Sequence, residues 1–221
     1  YCDYGFFTSE QEITREVSRI FSFLETVVLP DIDFEHLFVG QFNLRERINE
    51  KIDREIAHAK AGKEAYILLK LNSLEDKEIV IKLYEASKAG VKIDLIVRGI
   101  CCLVPGIEGV SENIRAVSIV DRYLEHARAY VFHNGGEKEV YLSSADLMTR
   151  NLSYRIEVAF PIRDTQIKEE ILANLEFQLK DNVKGRIIDE KQSNKFVESN
   201  ADMPFQSQIE TYYYYKRKTQ Q

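Results

Sequence analysis

One short stretch concentrates residue types that can handle a phosphoryl group. His126 stands in Arg122-Tyr123-Leu124-Glu125-His126-Ala127-Arg128, immediately before an apolar run. Seventeen residues later comes Ser143-Ser144-Ala145-Asp146. Between them Asn134-Gly135-Gly136 signals a hairpin, which would bring the two ends together. Imidazole attacks phosphorus or moves a proton near neutral pH. A guanidinium binds phosphate oxygens in pairs. Hydroxyls and backbone N–H groups complete such a cradle. A structural role stays open for each group: Arg128 could pair with Glu125 or another acid, and Arg98, Arg150 and Arg155 could form ordinary ion pairs, the last two near Glu157. Of the other histidines, His58 falls on a solvated helix face and His36 has no obvious partner.

The elements that must position these residues alternate between two periods. Ile13, Val17, Ile20, Phe21 and Leu24 predict a helix, with Thr8/Gln11 or Ser9/Glu12 as a capping box and Pro30 with Asp31 and Asp33 as its stop. His36 to Val39 reads as a short strand. Leu44, Ile48, Ile52 and Ile56 form one helical stripe, closed by Gly62. Ala65 to Leu71 is a buried strand, Ile79 to Ala86 a helix ended by Gly90, and Val91 to Val97 a second strand. That order predicts a parallel pair joined by a crossover. A long loop with Pro105, Gly106 and Gly109 follows. Arg115 to Val120, Ala127 to Phe132, Glu139 to Leu142 and Tyr154 to Ile162 read as strands, and Ile167 to Leu179 as a long helix. Beyond about Asp189 the chain is polar until Tyr212 to Tyr215, and either a last helix or loose chain fits. The fold class is α/β, a mixed sheet flanked by helices. In such sheets ligands gather at the carboxyl ends of parallel strands, where Arg98 and Asn72 fall, the latter just after Lys70.

Composition narrows the functional classes. The chain has 221 residues, 44% of them apolar and 30% charged, as in a globular protein. A net charge of −6 argues against bulk electrostatic binding of nucleic acid or acidic membranes, while leaving room for a local basic pocket. The acidity sits mostly in the first quarter. No apolar run reaches the roughly 20 residues of a membrane helix, and no secretory leader is visible. Cys2, Cys101 and Cys102 show no zinc or redox spacing and read as small buried thiols of a reduced, cytoplasmic chain.

His126-Ala127-Arg128 followed by Ser143-Ser144-Ala145-Asp146 resembles a degenerate half of the phospholipase D signature, H-x-K-x4-D then G-S-x-N. Arg128 replaces the lysine, His133 the aspartate, and Ser143 and Asp146 the glycine and asparagine. The wider sequence resembles the C-terminal part of bacterial polyphosphate kinases. Arg98-Gly99-Ile100-Cys101-Cys102-Leu103 and the run from Ser118 to Arg128 carry the likeness most strongly. Tyr1 to Thr8, Asn43 to Arg47, Asp53 to Gly62, Lys70 to Leu74, Leu83 to Ser87, Glu112 to Arg115, His133 to Gly136 and Arg150-Asn151 add to it.

That resemblance implies reversible transfer of the terminal phosphate of ATP to inorganic polyphosphate. The phosphohistidine and most of the magnesium binding would lie in an upstream domain, and no metal residue is expected here. His126 matches a catalytic histidine; Tyr1, Arg98 and His126 match nucleotide contacts. Lys70, Asn72, Arg128, Ser143, Ser144 and Arg155 are candidates for phosphate or polyphosphate contact. Residues 1–35 would be the tail of the preceding phospholipase-D-like domain and 36–221 the C-terminal one. ATP or ADP and polyphosphate would be the ligands, with no nucleic acid, in a homo-oligomer whose peripheral membrane association stays open. The fragment alone is expected to lack activity. Two other readings remain: a phospholipase-D-like phosphodiesterase or nuclease, and a non-catalytic nucleotide- or polyanion-binding module.

Overall fold

Periodicity turns into structure along most of the chain. The computed structural model describes residues 2–26, 33–198 and 203–220. Pro30, Asp31 and Tyr1 lie outside them. In chain order the elements are α1 (Gln11–Thr26), β1 (Phe38–Val39), α2 (Leu44–Lys60), β2 (Tyr66–Leu71), α3 (Lys77–Lys88), β3 (Lys92–Val97), β4 (Ile114–Ile119), β5 (Arg128–Phe132), β6 (Glu139–Ser143), α4 (Thr149–Ser153), β7 (Val158–Pro161), α5 (Thr165–Lys180), β8 (Gly185–Ile188) and α6 (Ser207–Lys218). A 3-10 turn at Asn134–Gly136 links β5 to β6, with Asn134 and Gly135 at positive φ.

Eight strands form one mixed sheet in the order β1-β7-β6-β5-β2-β3-β4-β8. Its centre, β2-β3-β4, is parallel and the remaining pairs are antiparallel. The two-residue alternation of a strand splits β2 between two cores. Ile67, Leu69 and Leu71 join the cluster that holds the α2 stripe Leu44, Ile48 and Ile52 together with Ile79 and Leu83 of α3. Leu68 packs on the opposite face with Ile171 and Leu175 of α5. Lys70 has the parity of Leu68, so it enters the α5 side as an ammonium and must find a partner there.

Several boundaries differ from the sequence reading. β1 and β7 are shorter than expected: the His36 and Leu37 amides go to the Glu16 carboxylate rather than to a neighbouring strand, and β7 starts only at Val158, after a helix at Thr149–Ser153 that was not expected. β8 was not expected. It has only four residues and adds an antiparallel edge to β4. Neither expected capping box sets the start of α1; the Thr8 hydroxyl accepts from the Glu10 amide instead. His36 does have partners, with its ring 3.0 Å from Arg163 and 3.5 Å from Glu12. His58 is half-buried, 3.9 Å from the buried Glu55 carboxylate. Cys102 is exposed where a buried thiol was expected, while Cys2 and Cys101 are half-buried.

α1 is tied to the sheet edge by one buried carboxylate. Glu16 accepts the amides of Glu35, His36 and Leu37 at 2.8–3.2 Å, beside an apolar cluster of Ile13, Ile20, Phe34, Leu37 and Val39. Glu16→Ala strands those donors and is expected to lower unfolding free energy by about 1–3 kcal/mol, read by urea denaturation.

Candidate active site

Strand register alone gathers the expected residues at one end of the sheet. Leu71 pairs with Val97, so Asn72 and Arg98 emerge side by side from the carboxyl ends of two parallel strands. β5 runs the other way against β2, with Lys70 opposite Ala129, so its entry residues arrive at the same end. Arg128 pairs in turn with Ser143 at the exit of β6.

His126, Arg128, Ser143 and Ser144 line one cavity of about 270 Å³, shared with Asp3, Tyr4, Leu142 and Phe160. The Asp3 carboxylate lies 3.0 Å from Nδ1 of His126. A carboxylate there holds the ring proton on Nδ1 and makes Nε2 the atom able to exchange a proton with a ligand. Arg128 Nη1 lies 3.3 Å from both ring nitrogens and so is not aimed squarely at the Nε2 lone pair. The backbone is fixed as well: the amides of His126 and Ala127 both donate to the Cys2 carbonyl, and the Cys2 amide donates to Leu124.

Asp146 is the hub of the site. It receives Arg128 through two contacts, Nε at 3.3 Å and Nη2 at 3.1 Å. Its Oδ1 also accepts the amides of Asn72 at 2.7 Å and Ser73 at 3.0 Å. Asn72 Oδ1 in turn accepts Arg98 Nε at 3.1 Å and Nη2 at 2.7 Å. Arg98 therefore does not line the His126 cavity directly but is joined to it through Asn72, Asp146 and Arg128. No carboxylate pairs with Arg98 among the described residues, so its charge is offered rather than cancelled. Gly99 lets the two strand ends approach, since a Cβ there would sit 2.9 Å from the Asn72 carbonyl.

The other candidates divide. Ser143 Oγ accepts the Ala145 amide and donates to the Val158 carbonyl, while Ser144 Oγ donates to Glu157 at 2.5 Å. Both hydroxyls shape the turn at the cavity wall. Arg155 is exposed ahead of β7, and Glu157 is taken by Ser144 and Asn151 rather than by Arg155. Lys70, expected at phosphate, instead spends its charge on Glu125 at 2.9 Å, with only 2% of its surface exposed. Burial holds its ammonium below the ordinary lysine range even against the pull of Glu125. The Cys2 thiol is pushed up to about 11 by burial and then by Glu125, which keeps it protonated at neutral pH. Among the described residues no three His, Cys, Asp or Glu side chains gather as a metal set. No described helix is long and apolar enough to cross a membrane.

Sequence reasoning missed Asp3 and the reach of Asp146. Asp3 is 123 positions from His126, and no local pattern announces that pairing.

The family model for polyphosphate kinase C-terminal domain 2 matches residues 37–208. The polyphosphate kinase of Vibrio parahaemolyticus is 50% identical over 98% of this chain, and that of Escherichia coli K12 is 49% identical over the same share. The chain spans 31% of the length of each. The crystal structure of polyphosphate kinase from Porphyromonas gingivalis superposes with a TM-score of 0.91 at 46% identity, covering 96% of this chain and 32% of that one. Nuc from Salmonella typhimurium, a phospholipase D family member, gives a TM-score of 0.50 at 14% identity, over 70% of this chain and 98% of its own; the likeness is one of fold. Sequence and backbone agree, and the chain belongs to the polyphosphate kinase family, whose C-terminal domain 2 it carries.

Proposed function

We propose that this chain forms one wall of the reaction chamber of an ATP:polyphosphate phosphotransferase. The reaction moves the terminal phosphoryl group of ATP to polyphosphate and back, through a phosphohistidine carried by an upstream domain. Residues 1–35 are the tail of that domain and 36–221 the C-terminal phospholipase-D-like domain. The observation that carries the reading is the shared cavity: an imidazole oriented by Asp3, beside Arg128 and the Ser143-Ser144 turn, with the unpaired charge of Arg98 linked through Asp146.

The chemistry follows from those groups. Phosphoryl transfer spreads negative charge over peripheral oxygens, so positioning and charge stabilisation dominate. His126 Nε2 gives a proton to a leaving phosphate oxygen in one direction and removes it from an acceptor in the other. Arg98 and Arg128 hold phosphate oxygens, and Asn72 sets the Arg98 fork. Lys70 drops out of phosphate binding because Glu125 already holds it. Tyr1 remains a candidate nucleotide contact and Arg155 a candidate for the outgoing polyanion. Magnesium is assigned to the upstream domain. The described residues here show no set that fits it. Cytoplasmic residence and a homo-oligomer belong to the same proposal.

Incubating the full-length protein with ATP labelled on its terminal phosphate tests the reading. Label is expected in acid-insoluble polyphosphate, and none with this chain alone. Cleavage of a generic phosphodiester without polyphosphate formation would put a phospholipase-D-like hydrolase in its place.

A further inference from the structure

The eight residues between β4 and β5, Val120 to Ala127, carry His126 yet have no regular hydrogen-bonded ladder of their own. Beneath them lies a second cavity of about 350 Å³, lined by Lys70, Tyr123, Glu125, Ala127 and, from the helical side, Gln178 and Gln208. Close packing therefore does not hold the loop on that side. Polar contacts do, from the Cys2 main chain and from the start of α6.

Three successive residues make the grip. Gln206 donates to Asp121 at 2.6 Å. Ser207 donates through its amide and hydroxyl to the buried Asp181 at 2.8 and 2.7 Å, which anchors the helix start to the turn before β8. Gln208 then brackets the Tyr123 main chain. Its Oε1 accepts the Tyr123 amide at 3.1 Å and its Nε2 donates to the Tyr123 carbonyl at 2.8 Å. The same Nε2 lies 2.8 Å from Glu125 Oε1, while Lys70 and Gln178 hold Oε2 at 2.9 and 3.4 Å. Glu125 precedes His126 directly, so the carboxylate that these groups immobilise is one peptide from the imidazole.

We infer that Gln208 is a positioning residue for His126: the C-terminal helix α6, remote in sequence from the reacting groups, sets the height and rotation of the imidazole through Tyr123 and Glu125. Asp3 fixes the ring from the cavity side, Cys2 holds the His126 amide, and Gln208 holds the Tyr123 main chain and the Glu125 carboxylate behind it. Neither alone determines where Nε2 points. Small displacements of a reacting group cost up to about a hundredfold in rate. The inference rests on the phosphotransferase reading for its kinetic consequence, but not for its geometric one.

The test uses Gln208→Ala and Gln208→Met; the second keeps side-chain length over the cavity while removing both polar groups, in case the first does not fold. In the full-length protein kcat is expected to fall about 10–100-fold with the KM for ATP within twofold. The His126 ring carbon–proton cross-peak is expected to shift in this chain. Tyr213→Ala, exposed on α6 and outside the lining of either cavity, is the control and leaves both readings unchanged. An unmoved His126 cross-peak in the Gln208 variants overturns the inference. A moved cross-peak with unaltered kcat upholds the positioning and refutes instead the catalytic role of His126.

Discussion

His126→Ala in the full-length protein lowers kcat for polyphosphate synthesis by about 10²–10⁴-fold, the usual contribution of a positioned acid–base group. The effect is chemical rather than architectural. The His126 side chain is one-third exposed, and the amides of residues 126 and 127 keep their bonds to the Cys2 carbonyl when the side chain is shortened to alanine. The variant should therefore unfold at nearly the wild-type urea concentration. Asp3 and Arg128 remain in place, so binding of the polyanion persists while proton transfer does not. Synthesis at a near-normal rate would remove His126 from the reaction and leave its neighbours as a binding surface.

The second large effect is on stability. Asp146→Ala removes the partner of Arg128 and the acceptor of the Asn72 and Ser73 amides in one step. Breaking one side of a buried ion pair costs about 3–5 kcal/mol, because the remaining charge stays buried without compensation. Arg128 is in that position, with 13% of its side chain exposed. Asp146→Asn should fall between the two, since its amide oxygen still accepts the backbone donors. Urea unfolding of the three proteins checks the order. An Asp146→Ala protein as stable as wild type would show that Asn72 and Arg128 find other partners without cost.

The parts of this architecture readable from sequence were those set by neighbours along the chain. The four-residue spacing of Leu44, Ile48, Ile52 and Ile56 gave α2, and Gly62, at φ +71°, gave its end. The apolar runs of β2 and β3 gave the parallel centre, and the Asn134-Gly135-Gly136 turn gave the β5–β6 pair. β8 has only Ile187 and Ile188 as apolar residues, too few to establish a period. α4 has a single turn and a half, too short for a stripe.

The site divides along the same line. His126, Arg128 and the serine turn stood out because a hairpin joins them locally. The link from Arg98 to that group is tertiary, through an Asp146 that reaches 74 positions back to Asn72. Parity along β2 was equally hard to use. It puts Lys70 on the α5 face, but only the packed structure shows that Glu125, rather than a ligand, waits there. Glu125 was a candidate partner of Arg128 and is the partner of Lys70 instead.

The short bridge between Cys2 and the Leu124–Ala127 backbone has a mechanical meaning. Because one carbonyl carries two consecutive amides, and the next residue supplies the carboxylate on the ring, tugging the polypeptide at positions 2 and 3 would drag the imidazole and its orienting acid as one unit. Whatever shifts that thread reaches the proton-handling ring by two routes at once, the main chain of Cys2 and the short Asp3 side chain.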